Sequence, residues 1–459
     1  MSKSLKEVQD EINHIESHYN TENWKFYKLS LWPYLKVYFS TVNSSTSSLQ
    51  KKIDKWSAFQ SFIFSFLSSL DFNFYLKQGS ALFFGVGKKY QTIDDKLVHL
   101  QFEPLKQKLI RHYDLLFVEF LFSNKAKRSA SLGSDWIIYT IRIASYILSP
   151  ILMPFFYIND FKPVSESLQS RGFSSTFLNR RPICELLLFL ILAEKYYILL
   201  YKIIKPPFVI ISCFYMRSNI AAISAAKKMN IKTVEYQHGV ISQETVAYNN
   251  WTKEYSTIPD IFWVWSDSEA KVIKMWGGRT FIGGNLSLDF SPPPPHKAFF
   301  PTEKTKVLVS LQTGTDFKRL LDSLLSKLDD SHFLLIRLHP MMSKNEIKKV
   351  KTILKNRKTS DLKYSSSLPL STIINICDVH LTLFSAVILE ARQLGKKSIA
   401  LSPDARDHFP ECITDGSLHL YEHTEKLSKV IKKVIKNKKE KILDNIEDIS
   451  ELIDILNKH

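Results

Sequence analysis

From Phe208 onward the chain alternates short runs that are apolar on both faces with segments of helical period, and this alternation constrains its fold more than any other feature. "FVIISCFY", "KTVEYQ", "DIFWVWS" and "RTFIGG" read as strands, and "SNIAAISAAKKMN" and "SEAKVIKMWGG" read as the helices among them. A strand without a polar face must be covered on both sides, which predicts a parallel sheet sandwiched by helices. "SPPPP" (Ser291 to Pro295) then interrupts the pattern, because proline can continue neither a helix nor a central strand. A second series follows: strands "KVLVSLQ", "HFLLIRLHP", "LKYSS", "DVHLTLF" and "KSIALSP", with helices "DFKRLLDSLLSKL", "SKNEIKKVKTIL" and "SAVILEARQLG". The expected fold class is therefore α/β, two Rossmann-like doubly wound domains hinged at the prolines.

The length of 459 residues exceeds what one core usually organises, in keeping with two domains. Residues 1–77 read as a helical, aromatic-rich N-terminal extension that includes the apolar "WSAFQSFIFSFLSSL". Residues 78–290 form the first domain, with strands at "ALFFGVG" and "YDLLFVEF" and a helical insert over about 130–205. Residues 296–440 form the second, and 441–459 a terminal amphipathic helix able to pack back on the first domain. Within the insert, Trp136 to Ile158 is long enough to span a bilayer but carries Arg142, Pro150 and Pro154. We read it as buried helix, with an interfacial helix held against a membrane as the alternative.

Lysine and arginine outnumber aspartate and glutamate by 62 to 45, a net charge of +17 that favours anionic partners. The lysine-rich stretch from Lys426 to Lys441 accounts for part of it and reads as the solvated face of a packed helix. Cys184, Cys213, Cys377 and Cys412 are scattered without metal spacing, as expected of reduced thiols in a cytoplasmic protein, and the charged N-terminus lacks the apolar core of an export signal.

Open parallel sheets bind ligands beyond the carboxyl ends of their strands. That rule selects "GVGKK", "YQHGVIS" and "GGNLS" in the first domain, and "LQTGTD" (Leu311 to Asp316), "RLHPMMS", "TLFSAVILEA" and "SPDARDHF" in the second. Only 13 glycines exist, and Gly85, Gly87, Gly239, Gly283, Gly284 and Gly314 follow predicted strands, where they permit positive φ or close ligand approach. Gln312, Thr313 and Gly314 lead into a helix whose free amides suit a phosphate, although Gly314 is equally an ordinary loop glycine. Arg337 and His339 can donate to a phosphate, or His339 can simply pack under a loop; Ser385 is a phosphate contact or a helix cap; Glu390 accepts from ribose hydroxyls or faces solvent. His238 suits general-base work, with Gln237 and Glu244 able to orient it or compete for the role, and a structural histidine bonded to a backbone carbonyl is the alternative.

No D-x-D is present, nor a P-loop, G-x-G-x-x-G, G-x-S-x-G or zinc spacing. These absences point away from a motif-bound metal, ATPase or dinucleotide chemistry, and a serine hydrolase. No cofactor and no metal is expected.

"TVEYQHGVIS", "FIGGNLSLD", "LIRLHP" and "DVHLTLFSAVILEARQLGKKSIAL", in that order, resemble the GT-B glycosyltransferases that build bacterial capsule, O-antigen and related surface polysaccharides, including lipopolysaccharide. The last two stretches also resemble the CDP-glycerol glycerophosphotransferases and, more distantly, sialyltransferases with a His-Pro motif. The resemblance spans about residues 205–435. It implies two domains facing each other, the first taking the acceptor and the second the nucleotide-sugar donor. His238 would be the base, His339 with Arg337 the donor phosphate contact, Ser385 a second phosphate contact and Glu390 an acidic residue near the nucleotide sugar; the reading of the loops adds Gln312, Thr313 and Gly314 as donor contacts and Glu244 beside the base. Ala386 departs from relatives that carry a second hydroxyl there.

The implied reaction is metal-independent, inverting sugar transfer to an oligosaccharide or lipid-linked glycan, with a cytidine donor favoured. Peripheral contact with the inner face of the membrane stands as the alternative that the Trp136 to Ile158 stretch leaves open, and no specific nucleic-acid partner is expected. Three readings stand beside it: a polyol-phosphate transferase, a nucleotide-sugar epimerase, and a non-catalytic protein binding polyanions or lipid.

Overall fold

The computed structural model describes residues 3–43, 77–120, 132–153, 161–288, 300–437 and 446–457, apart from 27, 87–89, 94–95, 135, 250, 252–254, 314–316, 340–341, 356–358 and 423–425. The expected helix at "WSAFQSFIFSFLSSL", the prolines 291–295 and Gly87 and Gly314 lie outside the described residues. The chain divides into two compact units: Met1–Gly283 with Glu447–His459, and Gly284–Ile446.

The first unit is built on seven parallel strands: β1 (Ala81–Val86), β2 (Leu115–Phe120), β3 (Leu132–Ser134), β4 (Phe208–Ser212), β5 (Lys232–Tyr236), β6 (Ile261–Val264) and β7 (Thr280–Ile282). Their order across the sheet is β7-β6-β5-β4-β1-β2-β3. Its helices are α1 (Leu5–His18), α2 (Trp32–Asn43), α3 (Phe102–Leu109), α4 (Trp136–Leu152), α5 (Phe161–Ser170), α6 (Arg180–Ile204), α7 (Arg217–Lys228) and α8 (Asp267–Lys274). The chain starts at the sheet's centre, runs outward to β3 and crosses back to β4, so the direction of winding reverses between β1 and β4. That reversal opens a crevice at the strands' carboxyl ends.

The sequence explains the burial. Every residue of β4 and β6 is buried, as strands apolar on both faces require. Helices α1 and α2 share this core: Val8, Ile12, Trp24, Trp32 and Phe39 pack in one cluster with Phe84, Tyr197 and Ile211. The stretch read as a helical insert supplies an edge strand, β3, and the crossover helix α6, whose Tyr197 and Tyr201 lie in the same core. Helix α6 ends where Lys205 turns left-handed (φ 52°) ahead of Pro206 and Pro207, its N–H still bonded to Tyr201 O at 2.8 Å.

The second unit holds six parallel strands: β8 (Thr305–Ser310), β9 (His332–Arg337), β10 (Ser360–Asp361), β11 (Val379–Thr382), β12 (Ser398–Ala400) and β13 (Leu418–Leu420), in the order β10-β9-β8-β11-β12-β13. Its winding reverses between β8 and β11. Its helices are α9 (Phe317–Lys327), α10 (Lys344–Leu354), α11 (Lys363–Ser367), α12 (Leu370–Ile376), α13 (Val387–Gln393), α14 (Ala405–His408), α15 (Pro410–Thr414) and α16 (Leu427–Lys436). A final helix, α17 (Ile449–Asn457), belongs to the first unit. There Glu447 N donates to Ile282 O at 2.8 Å, extending the edge at β7, and Tyr113 OH donates to Asn457 Oδ1 at 3.0 Å.

One predicted strand is wrong. "LKYSS" is mostly helix α11, because Asp361 accepts from Tyr364 N and Ser365 N (3.4 and 2.7 Å) and so starts a helical turn. Its serines then bond back to the neighbouring strand: Ser365 Oγ and Ser366 Oγ each donate to Ile336 O at 2.9 Å. A local side-chain cap outweighs the weak strand preference of so short a run.

Candidate functional site

In the first unit, the loop after β4 borders the winding reversal, and the loop after β5 lies beside it. Cys213 takes a left-handed backbone (φ 69°) in the first of these, a conformation a non-glycine residue adopts only when its surroundings hold it there. Asn219 holds it, donating through Nδ2 to Ser212 O and Cys213 O, both at 2.9 Å. This sharp exit presents Tyr215. From the second loop comes His238, with 23% of its side chain exposed. The Tyr215 hydroxyl and His238 Nε2 are 3.1 Å apart.

On its other side, His238 Nδ1 stands 3.5 Å from the Tyr248 hydroxyl and 3.7 Å from Glu235 Oε1. Tyr248 OH donates to that same carboxyl oxygen at 2.7 Å, and Phe214 N does so at 3.3 Å. Because Tyr248 spends its proton on Glu235, its lone pairs are free to accept from Nδ1–H. This favours the tautomer with its lone pair on Nε2, toward Tyr215.

Glu235 sits inside β5, 1% exposed, and its Oε2 has no hydrogen-bond partner. Burial pushes its pKa up to about 8, against the bonds from Tyr248 and the Phe214 and Cys213 amides, which lower it. It is a protonated acid at neutral pH and places no anion beside His238. Burial also drives the Cys213 thiol far up, and the Tyr215 and Tyr248 phenols well above their ordinary value, so none of the three ionises near neutrality.

Neither residue expected to orient His238 is the one found against it. Gln237 is fully buried and occupied: its Oε1 accepts from Trp265 N at 2.7 Å and its Nε2 donates to Gly239 O at 2.8 Å. Glu244 is half-buried in the turn closed by Thr245 N and Ser242 O (3.0 Å). Glu235, Tyr215 and Tyr248 were not singled out from sequence. The one available signal was a carboxylate set among the otherwise coverable residues of "KTVEYQ".

The glycines divide by cause. At Gly283 a Cβ would stand 2.2 Å from the Trp263 indole, and Gly284 has φ +71°, so the fold itself demands both. Gly85 lies within β1, hemmed in by the Phe83 and Phe117 rings. Gly239 differs: no atom lies within 4 Å of where its Cβ would be, and no positive φ calls for glycine.

In the second unit, the paired ends of β8, β9 and β11 put Ser310 level with Arg337 on one side and Thr382 on the other. The loops that follow therefore lie side by side at the winding reversal. Gln312, after β8, accepts through Oε1 from Phe384 N, after β11, at 3.3 Å. Thr313 and His339 are half-buried in neighbouring loops. Ser385 Oγ accepts from Val387 N at 3.3 Å, so the hydroxyl does cap the turn into α13, with its own proton still to give. Glu390 follows on α13, half-buried.

Arg337 also carries a structural task. Its Nη1 donates to Ser365 O at 3.1 Å and to Leu368 O, fastening α11 to the end of β9. Burial lowers its pKa to about 10, opposed by the Glu390 charge, so it stays a cation at neutral pH. Among the described residues there is no group of acidic, histidine or cysteine side chains arranged to hold a metal.

Two doubly wound parallel sheets in one chain, each with its loops gathered where the winding reverses, define the GT-B class of α/β protein. One solved structure shares this fold. A UDP-N-acetylglucosamine 2-epimerase aligns with a TM-score of 0.51 at 13% identity, over 83% of this chain and 97% of its own. Looser likenesses are the UDP-GlcNAc 2-epimerase of Methanocaldococcus jannaschii in complex with UDP-GlcNAc and UDP (TM-score 0.49, 13% identity, 83% and 100% covered) and a spinosyn rhamnosyltransferase (0.44, 11%, 82% and 100%). Neither a protein-family model nor a curated protein matches the sequence.

Proposed function

We propose that this chain is a glycosyltransferase that moves a sugar from a nucleotide donor, with a cytidine nucleotide favoured, onto a growing surface glycan. The observation that carries the reading is His238: a partly exposed imidazole at the carboxyl end of a parallel sheet, held by Tyr215 and Tyr248 beside a carboxyl that burial keeps neutral. Burial holds Glu235 neutral, and we take the His238 Nε2 lone pair, 3.1 Å from the Tyr215 hydroxyl, as the proton acceptor once Tyr215 is displaced.

In the proposed step the acceptor hydroxyl takes the place of Tyr215 at Nε2. His238 removes its proton, the oxygen bonds to the anomeric carbon, and the bond from that carbon to the phosphate oxygen breaks with its electron pair leaving on the nucleotide. Configuration inverts. Gln312, Thr313, His339 and Ser385 hold the departing phosphate, where negative charge develops, and Glu390 takes the nucleoside. Arg337 adds positive charge from one residue behind the loop while holding α11 in place. The resemblance to capsule and O-antigen enzymes supports a bacterial surface polysaccharide or its lipid-linked precursor as the acceptor.

The test is turnover with CDP-, UDP- and GDP-sugars, with and without oligosaccharide acceptors. Acceptor-dependent release of nucleotide, lowered at least about 100-fold in His238→Asn with its circular dichroism unchanged, is the expected result. Isomerisation of the donor without acceptor would make the protein an epimerase, and a phosphodiester product a polyol-phosphate transferase. Either outcome would replace the reading.

A further inference from the structure

Helix α4 is amphipathic in the wrong sense for a helix that meets only water. Its inward face carries Ile138, Ser145 and Ser149, all buried. Its outward face carries Ile143, Tyr146, Ile147 and Ile151, spaced at three and four residues along one stripe, with Ile147 60% and Ile151 67% exposed. The two buried serines stay satisfied within the helix: Ser145 Oγ donates to Ile141 O at 2.7 Å, and Ser149 Oγ donates to Tyr146 O at 3.1 Å. The second bond replaces the one that Pro150, which has no N–H, cannot make. The apolar stripe is therefore not a by-product of a helix turned inside out by mispairing. Contiguous apolar surface of this kind marks a docking face.

Charge says what docks there. Helix α4 contains no aspartate or glutamate, and its Arg142 is exposed. On the adjoining α6, Arg180, Arg181, Lys195 and Lys202 are exposed, beside Leu199 and Ile203. Both acidic residues of α6 are spent elsewhere: Glu185 pairs with Arg217 at 3.2 Å, and Glu194 pairs with Lys228 at 2.6 Å. All the exposed charge on these two helices is thus positive. The Arg181 guanidinium lies 5.1 Å from the Tyr146 ring, at the margin of the stripe. An apolar stripe with an aromatic ring and a purely cationic border matches a bilayer interface, with side chains entering the acyl boundary and guanidiniums meeting lipid phosphates. Among the described residues no helix is long and apolar enough to cross a membrane, so the contact is one of lying on the surface.

We propose that the α4 stripe and its basic border dock the protein onto an anionic lipid bilayer. The test is flotation of the full chain with vesicles of phosphatidylglycerol and phosphatidylethanolamine, compared with phosphatidylcholine alone. Wild type should bind the anionic vesicles and release in high salt. Binding should fall at least about tenfold both in Ile147→Asp with Ile151→Asp and in Arg142→Gln with Arg180→Gln and Arg181→Gln. Lys432→Gln with Lys436→Gln, exposed lysines of α16, should bind as wild type does.

A second readout does not depend on affinity. The four native thiols are free and buried, so Ile147→Cys can be labelled with an environment-sensitive fluorophore, whose emission should shift to the blue on vesicle binding. Equal binding to both vesicle types, variants that bind like wild type, or a label that stays in water would overturn the proposal. So would sedimentation showing a wild-type dimer that the isoleucine pair converts to monomer, since a second copy would then own the face.

Discussion

Replacing Glu235 with glutamine isolates the least expected group in the first unit. Folding takes this carboxyl from an ordinary value of 4.5 to about 8. Between those values the folded chain holds a proton that the unfolded chain has released. The contribution is favourable below pH 4.5, declines by about 1.4 kcal/mol per pH unit, and is gone above pH 8, a total of roughly 5 kcal/mol. The Glu235→Gln side chain keeps an acceptor oxygen for Tyr248 OH and Phe214 N and has no titration. The stability of this variant should match wild type to within about 1 kcal/mol at pH 5 and exceed it by roughly 3 to 5 kcal/mol at pH 8.5.

The assay is urea unfolding followed by tryptophan fluorescence at several pH values. All eight tryptophans fall within Met1–Gly283, so the signal reports the first unit alone. Parallel stability curves for variant and wild type across this range would refute the reasoning, because they would mean that Glu235 is already ionised and solvated in the folded protein.

Lys36 is wholly buried, paired with Glu16 at 3.0 Å and 4.3 Å from the centre of the Trp251 ring; Lys36→Met should cost the first unit about 3 kcal/mol in the same urea assay, and adding Glu16→Gln should recover part of it. His380 lies between Ser398 Oγ (2.9 Å) and Ser310 Oγ (3.1 Å), with burial lowering its pKa to about 3. It should not titrate by proton NMR between about pH 4.5 and 8, and the second unit should lose about 1.4 kcal/mol per pH unit as pH falls below 6.5, where only the unfolded chain gains the proton. Arg337→Ala frees two carbonyls and should destabilise the second unit by about 2 to 4 kcal/mol, read as faster amide exchange in α11. Gly239→Ala meets nothing in the fold, so its melting temperature should stay put while turnover falls if a ligand passes close to His238.

The sequence makes the sheets legible because strands covered on both faces are written as unbroken apolar runs: "FVIIS" and "IFWV" are buried at every position. It marks the second unit's loops as well, since the rule of strand carboxyl ends selects Gln312 and Ser385 without any motif. What it hides are features decided by particular side-chain contacts rather than by hydrophobic periodicity. "LKYSS" departs from its expected strand because Asp361 caps it. The pocket around His238 depends on Tyr215 and Tyr248, which are drawn in from different loops, and Glu235, only three residues before His238, reads in the sequence as one more position of a covered strand. The outward stripe of α4 has the same composition as a core stripe, and only its packing tells the two apart.

Calorimetric titration of CDP, UDP and GDP into wild type, Gln312→Ala and His339→Ala most directly tests the claim that the second unit's loops hold a nucleotide by its phosphates. At least one nucleotide should bind saturably, with its dissociation constant raised about tenfold or more in each variant. No binding by any of the three, or equal binding by all three proteins, would contradict the claim.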